Sequence, residues 1–172
     1  MISNYDHDDS PEDEGGGTGH TGETGLVVTE SPGPGVDSII VSLRAPHEPA
    51  SVGKVRREVV ADLQTRDLPE EIVDEAEIVA SELLTNAVRH ARPLSDGTIR
   101  VRWKIRGDVV EVEVTDGGGE SVPRPAPRTV WLSSGRGLRI VRSIAHEWGV
   151  TEDRTGSVVW ATLGGPSRRR AT

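Results

Sequence analysis

The sequence predicts an α/β chain in which antiparallel strands are covered on one face by helices. Two observations lead to this reading. First, residues 98–106, TIRVRWKIR, and 109–116, VVEVEVTD, alternate strictly between apolar and polar residues, and Gly107-Asp108 joins them as a turn. Such alternation belongs to a sheet buried on one side only. Second, residues 49–64 and 69–91 carry apolar residues at helical spacing.

The longest of these segments is PEEIVDEAEIVASELLTNAVRHA, residues 69–91. Pro69 suits a first helical turn, and Glu70, Glu71 and Asp74 place negative charge at the positive end of the helix dipole. Ile72, Ala76, Val79, Leu83 and Ala87 define a buried stripe. Glu82, Asn86 and His90 follow one another at four-residue steps, which leaves side chains only ~40° apart around the helix. They therefore form a polar ladder beside that stripe. On this helix alone, a site and a solvated flank fit the ladder equally well.

Residues 1–36 are a separate compositional region. They hold Asp6, Asp8, Asp9, Glu12, Asp13, Glu14, Glu23 and Glu30, no Lys or Arg, and dense glycine and proline. Their one apolar cluster is Leu26, Val27 and Val28. A segment with so little apolar surface cannot offset its ordering entropy, so disorder is expected. The tail carries the same −8 as the whole 172-residue chain, so residues 37–172 sum to zero. The expected organisation is a tail over 1–36, a domain over 37–165, and a short basic end, 166–172. A neutral domain gives no support for a nucleic-acid-binding face. There is no cysteine for disulfides or thiolate chemistry. No apolar run is long enough to span a bilayer, and the N-terminus lacks a signal pattern, so a cytoplasmic protein without membrane contact is expected.

Taken in order, residues 38–45 read as a strand with Ile39, Val41 and Leu43 on one face, and 49–64 as a helix with Val52, Val55, Val59, Val60 and Leu63 inward. Within it, Ser51-Val52-Gly53-Lys54-Val55 lacks both the first glycine and the hydroxyl residue of a P-loop. In the hairpin that follows, Arg100, Arg102, Lys104 and Arg106 face the same side as Glu111 and Glu113. Neighbouring counter-charges favour a solvated face over an RNA surface.

Parity then singles out Asp116. It continues the inward series Val110, Val112, Val114, which places its carboxylate on the helix-covered side. By itself, the start of an Asp-Gly turn would explain this residue. The glycines that follow, 117–119, allow a close backbone approach. Residues 120–134 have no period and several prolines, and a loop of that length is usually functional. Next, Gly135-Arg136-Gly137-Leu138 opens a helix with Leu138, Val141, Ile144 and Ala145 inward and Arg136, Arg139 and Arg142 outward; its first amides could meet an anion. His146-Glu147 has no second histidine at metal spacing. A second hairpin follows, 147–152 with 157–163, in which Ser157, Val159, Ala161 and Leu163 share one parity.

The order Glu82-x-x-x-Asn86, Asp116-x-Gly118, long loop, Gly135-x-Gly137-Leu138, Gly156-Ser157 resembles the GHKL ATP-binding fold of histidine kinases, Hsp90 chaperones, DNA gyrase and MutL. The phrases ELLTNAVRHA, GRGLRIV and GSVVWATL look most like the small anti-sigma factor serine/threonine kinases. The resemblance implies the GHKL or Bergerat architecture, a two-layer α/β sandwich of a mixed, mainly antiparallel sheet with helices on one face. It implies ATP and Mg²⁺ as cofactors. Under it, Asn86 holds the metal, and Glu82 is the catalytic base. Arg89 and His90 reach phosphate or ribose, and Asp116 accepts the adenine amino N–H beside Gly118. Gly135, Arg136, Gly137 and Leu138 form the phosphate-binding lid, and Ser157 supports the adenine contact. Two departures stand out: Glu120 replaces the last glycine of the usual D-x-G-x-G box, and the final hairpin lacks a lysine.

The implied function is an ATP-dependent protein serine/threonine kinase that phosphorylates an antagonist protein and binds a sigma factor. The alternative is a non-catalytic, nucleotide-gated module of the same partner switch. Related proteins often form homodimers.

Overall fold

A computed structural model describes residues 18–21, 26–35, 37–119, 137–153 and 156–165. Its elements are β1 (Thr18–Thr21), β2 (Val27–Pro32), β3 (Ser38–Pro46), α1 (Pro49–Gln64), α2 (Glu70–His90), β4 (Thr98–Arg106), β5 (Val109–Asp116), α3 (Gly137–Ile144), β6 (Glu147–Asp153) and β7 (Gly156–Gly164). The strands form one sheet in the order β1-β2-β3-β4-β5-β7-β6. The helices complete the two-layer α/β sandwich. Every described strand pairing is antiparallel, so no parallel pair appears among the described residues of the sheet expected to be mixed.

The segments with clear periodicity fold as their patterns require. α1 begins at Pro49, which lacks the N–H that a first helical turn leaves unused. α2 has Glu70 and Glu71 in its first turn and Arg89 and His90 in its last, matching the dipole at both ends. It buries Ile72, Ala76, Val79, Leu83 and Ala87 as expected, and Val73, Ala80 and Leu84 beside them. The hairpin β4–β5 pairs Arg102 with Glu113 and Lys104 with Glu111. The Lys104 ammonium donates to Glu111 at 2.6 Å and Arg102 lies 3.4 Å from Glu113, so the middle of this basic stripe is neutralised within the sheet.

The inward faces of β3, β4, β5 and β7 and the apolar stripes of α1 and α2 make one core. Trp103 lies at its centre, fully buried, and its indole N–H donates to the Asp62 carboxylate at 2.6 Å. A buried indole needs such an acceptor. Asp62 also receives two hydrogen bonds from Arg66, at 2.9 and 2.7 Å, and Arg66 donates to Glu30 on β2 at 2.7 Å.

That last contact corrects the expectation of disorder throughout residues 1–36. Strands β1 and β2 lie within this region, and β2 pairs with β3 from Val28↔Leu43 to Pro32↔Ile39. The physical reason is non-local. Val28 enters the shared core at 2 % exposure, the strand completes the hydrogen bonding of β3, and Glu30 finds a partly buried cation. Residues 1–17 and 166–172 lie outside the described residues.

Candidate functional site

Asp116 ends β5 on the inward side, 3 % exposed, as its parity predicts. Its Oδ1 accepts the Gly118 amide at 2.8 Å. Burial pushes the carboxyl pKa up to about 6, and Glu152 adds to the rise; the Gly118 amide and the charge of His47 oppose it.

The chain after Asp116 is clamped to the end of α2. Gly117 donates to the Arg92 carbonyl at 2.7 Å, and Arg92 donates back to the Gly118 carbonyl at 2.9 Å. A side chain at Gly117 would collide with the Pro93 carbonyl, and Gly118 has a φ of 82°, the left-handed region that glycine enters without strain. Two glycines therefore bring a strand end and a helix end together. The buried carboxylate is held near the turn of α2 that carries Asn86, Arg89 and His90.

Opposite Asp116, in direct register on β7, stands Ser157. It is 2 % exposed, and its hydroxyl has no hydrogen-bond partner among the described residues. A buried unpaired hydroxyl next to a buried carboxylate calls for a ligand or a water.

α2 packs against β5 and β7 beneath it and against α3 beside it. Glu82 and Asn86 are half-buried on this helix, while Arg89 and His90 are exposed. A Cβ on Gly137 would run into the Glu82 carboxylate, so Glu82 sits directly against the first residue of α3. The structure thus joins Glu82 to one residue of the glycine pair anticipated from the sequence. Leu138 packs against the core. Gly135, Arg136 and Glu120 lie outside the described residues.

Sequence reasoning missed His47. It follows β3, and its Nε2–H donates to the Ala87 carbonyl of α2 at 3.1 Å. It also lies close enough to Asp116 to favour that carboxylate's charged form. No local pattern announces this, because the contact joins residues 40 apart.

These groups suit an adenine nucleotide. Asp116 offers an acceptor, Ser157 an unused hydroxyl, and Gly118 a backbone that a flat base can approach. For the metal, no group of three His, Cys, Asp or Glu side chains converges among the described residues. Asn86 offers a carboxamide oxygen, and Mg²⁺ commonly uses one or two protein ligands together with substrate phosphates. The donor set therefore fits a metal carried in with a nucleotide.

The fold and this site define an ATP-binding domain of the GHKL class. Residues 45–163 match the histidine kinase-like ATPase domain, and the chain belongs to that family. Among solved structures, it is similar to the RsbU and RsbW domains of Rv1364c from Mycobacterium tuberculosis, with a TM-score of 0.54 and 19 % identity. That likeness covers 78 % of this chain and 33 % of the other, so this chain matches about a third of that protein. No curated protein matches the chain. Among the described residues, no helix is long and apolar enough to cross a membrane.

Proposed function

We propose that this protein is an ATP-dependent serine/threonine kinase of a partner switch, which phosphorylates an antagonist protein and binds a sigma factor in the cytoplasm. One observation carries the catalytic part of this reading: the Glu82 carboxylate lies against Gly137, at the start of α3 and one turn before Asn86. Binding a nucleotide needs an adenine acceptor and phosphate donors, but no carboxylate at that place.

In this reading, Asp116 accepts the adenine amino N–H, and Ser157 supports it, directly or through a water. Asn86 holds Mg²⁺, which when bound would neutralise phosphate charge. Arg89 and His90, exposed at the end of α2, reach phosphate or ribose, and Gly135, Arg136, Gly137 and Leu138 make the lid. The substrate serine or threonine oxygen bonds to the γ-phosphorus as the bond to the β–γ bridging oxygen breaks. The hydroxyl proton passes to Glu82, and ADP leaves. The resemblance of ELLTNAVRHA, GRGLRIV and GSVVWATL to the anti-sigma kinases supports the choice of partner, and the RsbW domain in the similar structure agrees with it.

The test is Glu82→Gln, assayed on protein captured from the source cell with the full chain and ATP. The variant should bind Mg·ATP like wild type and transfer phosphate at least ~100-fold more slowly. If wild type binds ATP and its partner yet phosphorylates nothing, the nucleotide-gated binding module replaces the kinase.

A further inference from the structure

The sheet face opposite the helices carries a cavity of about 290 Å³ whose lining includes Arg44, Asp96, Arg100, Thr115 and Val158. These strand residues have outward parity: Arg44 lies between buried Leu43 and Ala45, Arg100 between Ile99 and Val101, and Thr115 between Val114 and Asp116. The cavity is therefore back to back with the Asp116 site, across one thickness of sheet. The turn at 94–97 walls it, held by Leu94 and Thr98 and by Gly97 and Leu94 through backbone hydrogen bonds of 2.8 Å each.

Its charges are arranged unusually. Arg44 and Arg100 stand directly opposite one another in the β3–β4 register, where like charges repel. Arg44 resolves this by donating to Asp96 at 2.7 Å and to Thr98 at 3.2 Å. The Thr98 hydroxyl, ahead of the charge on Arg44, holds the Asp96 carboxyl below its usual range, so this pair stays ionic. Among the described residues, Arg100 has no such partner. Its one side-chain hydrogen bond among the described residues is a long one, 3.4 Å to the Thr115 hydroxyl, and its Nε is buried and unpaired. An unpaired buried donor on a charged group is costly, and it marks a place for an ion or a water.

We propose that this cavity is an oxyanion site, separate from the nucleotide site, that takes a carboxylate or phosphate group on the Arg100 guanidinium and the Thr115 hydroxyl. A guanidinium fork presents parallel donors that match the two oxygens of such a group. Arg44 stands at the mouth with its charge largely committed to Asp96. The site does not depend on the function proposed above.

The test follows the Arg100 Nε–H resonance of the full-length protein by NMR, titrating inorganic phosphate and, separately, acetate at constant ionic strength. A saturable shift with phosphate alone assigns the site to phosphate groups, and one with acetate alone to carboxylates. Followed in all variants through the Thr115 backbone amide, which lines the same cavity, Arg100→Gln should raise the Kd for the active anion at least tenfold, and Asp96→Asn should lower it by freeing Arg44. Asn86→Ala should leave the Arg100 titration unchanged, which separates it from any phosphate bound on the helix side. If Arg100→Gln fails to fold, Arg100→Lys keeps the charge without the fork and should still weaken binding. An Arg100 resonance that moves with neither anion overturns the proposal, as does an Arg100→Gln or Arg100→Lys variant that binds like wild type.

Discussion

Asp116 and Ser157 face each other across the β5–β7 pairing, both buried, one a carboxyl raised to about 6 and the other a hydroxyl without a partner among the described residues. The sign of the resulting pH dependence follows from linkage. The folded protein holds the Asp116 proton up to about pH 6, whereas the ordinary value is 3.8. Between those values the folded state binds more protons than the unfolded one, so stability falls as pH rises. A shift of about 2 units corresponds to a loss of up to ~3 kcal/mol. Denaturant midpoints measured from pH 4 to pH 7 should show this decline in wild type, and Asp116→Asn should flatten it. The same variant should lose ATP affinity by at least tenfold, because its amide N–H₂ replaces the acceptor proposed for the adenine amino group.

Glycine at 137 leaves room for the Glu82 carboxylate. Gly137→Ala adds a methyl there but favours the helix by up to ~1 kcal/mol. Thermal stability should therefore hold or rise slightly. If the proposed kinase reading holds, phosphotransfer should fall at least tenfold, because the displaced carboxylate no longer lies where that reading has the hydroxyl proton released. Unchanged transfer rates would remove Glu82 from the base role.

Gly117→Ala is expected to behave in the opposite way. Its methyl would meet the Pro93 carbonyl, backbone that cannot swing aside, and would break the Arg92–Gly117 and Arg92–Gly118 hydrogen bonds. Overpacking of this kind costs about 1–3 kcal/mol. Urea denaturation should show that loss, and isothermal titration should show weaker ATP binding, since the adjacent Asp116 moves with the clamp.

Arg66 ties the N-terminal strands to the core through Glu30 and Asp62. Its side chain is 15 % exposed, and Arg66→Ala leaves two carboxylates without their cation. A loss of about 1–2 kcal/mol is expected, because these charge-assisted bonds are only partly buried and solvent screens Glu30. Deleting residues 1–35 removes β1, β2 and buried Val28, so calorimetry should find a clearly lower Tm. ATP affinity should stay within tenfold, because no site residue lies in that segment.

Elements whose order is written locally are legible in the sequence. Strands 98–106 and 109–116 and helix 49–64 have the expected bounds, because strict alternation and helical spacing each satisfy the backbone in only one way. Parity alone also assigns Asp116 to the buried face, and it groups Ser157 with Val159, Ala161 and Leu163, the set that the structure buries. Other features needed the fold. β1 and β2 carry too few apolar residues to order themselves, and they become strands because β3 offers an unpaired edge and Arg66 a partly buried charge. His47 reaches Ala87, and Glu82 reaches Gly137, only after the sheet has brought distant segments together. The cavity on the open face arises likewise, since register alone sets Arg44 against Arg100. Local sequence determines which face a side chain takes, while the partner on that face is decided by strand register and helix packing.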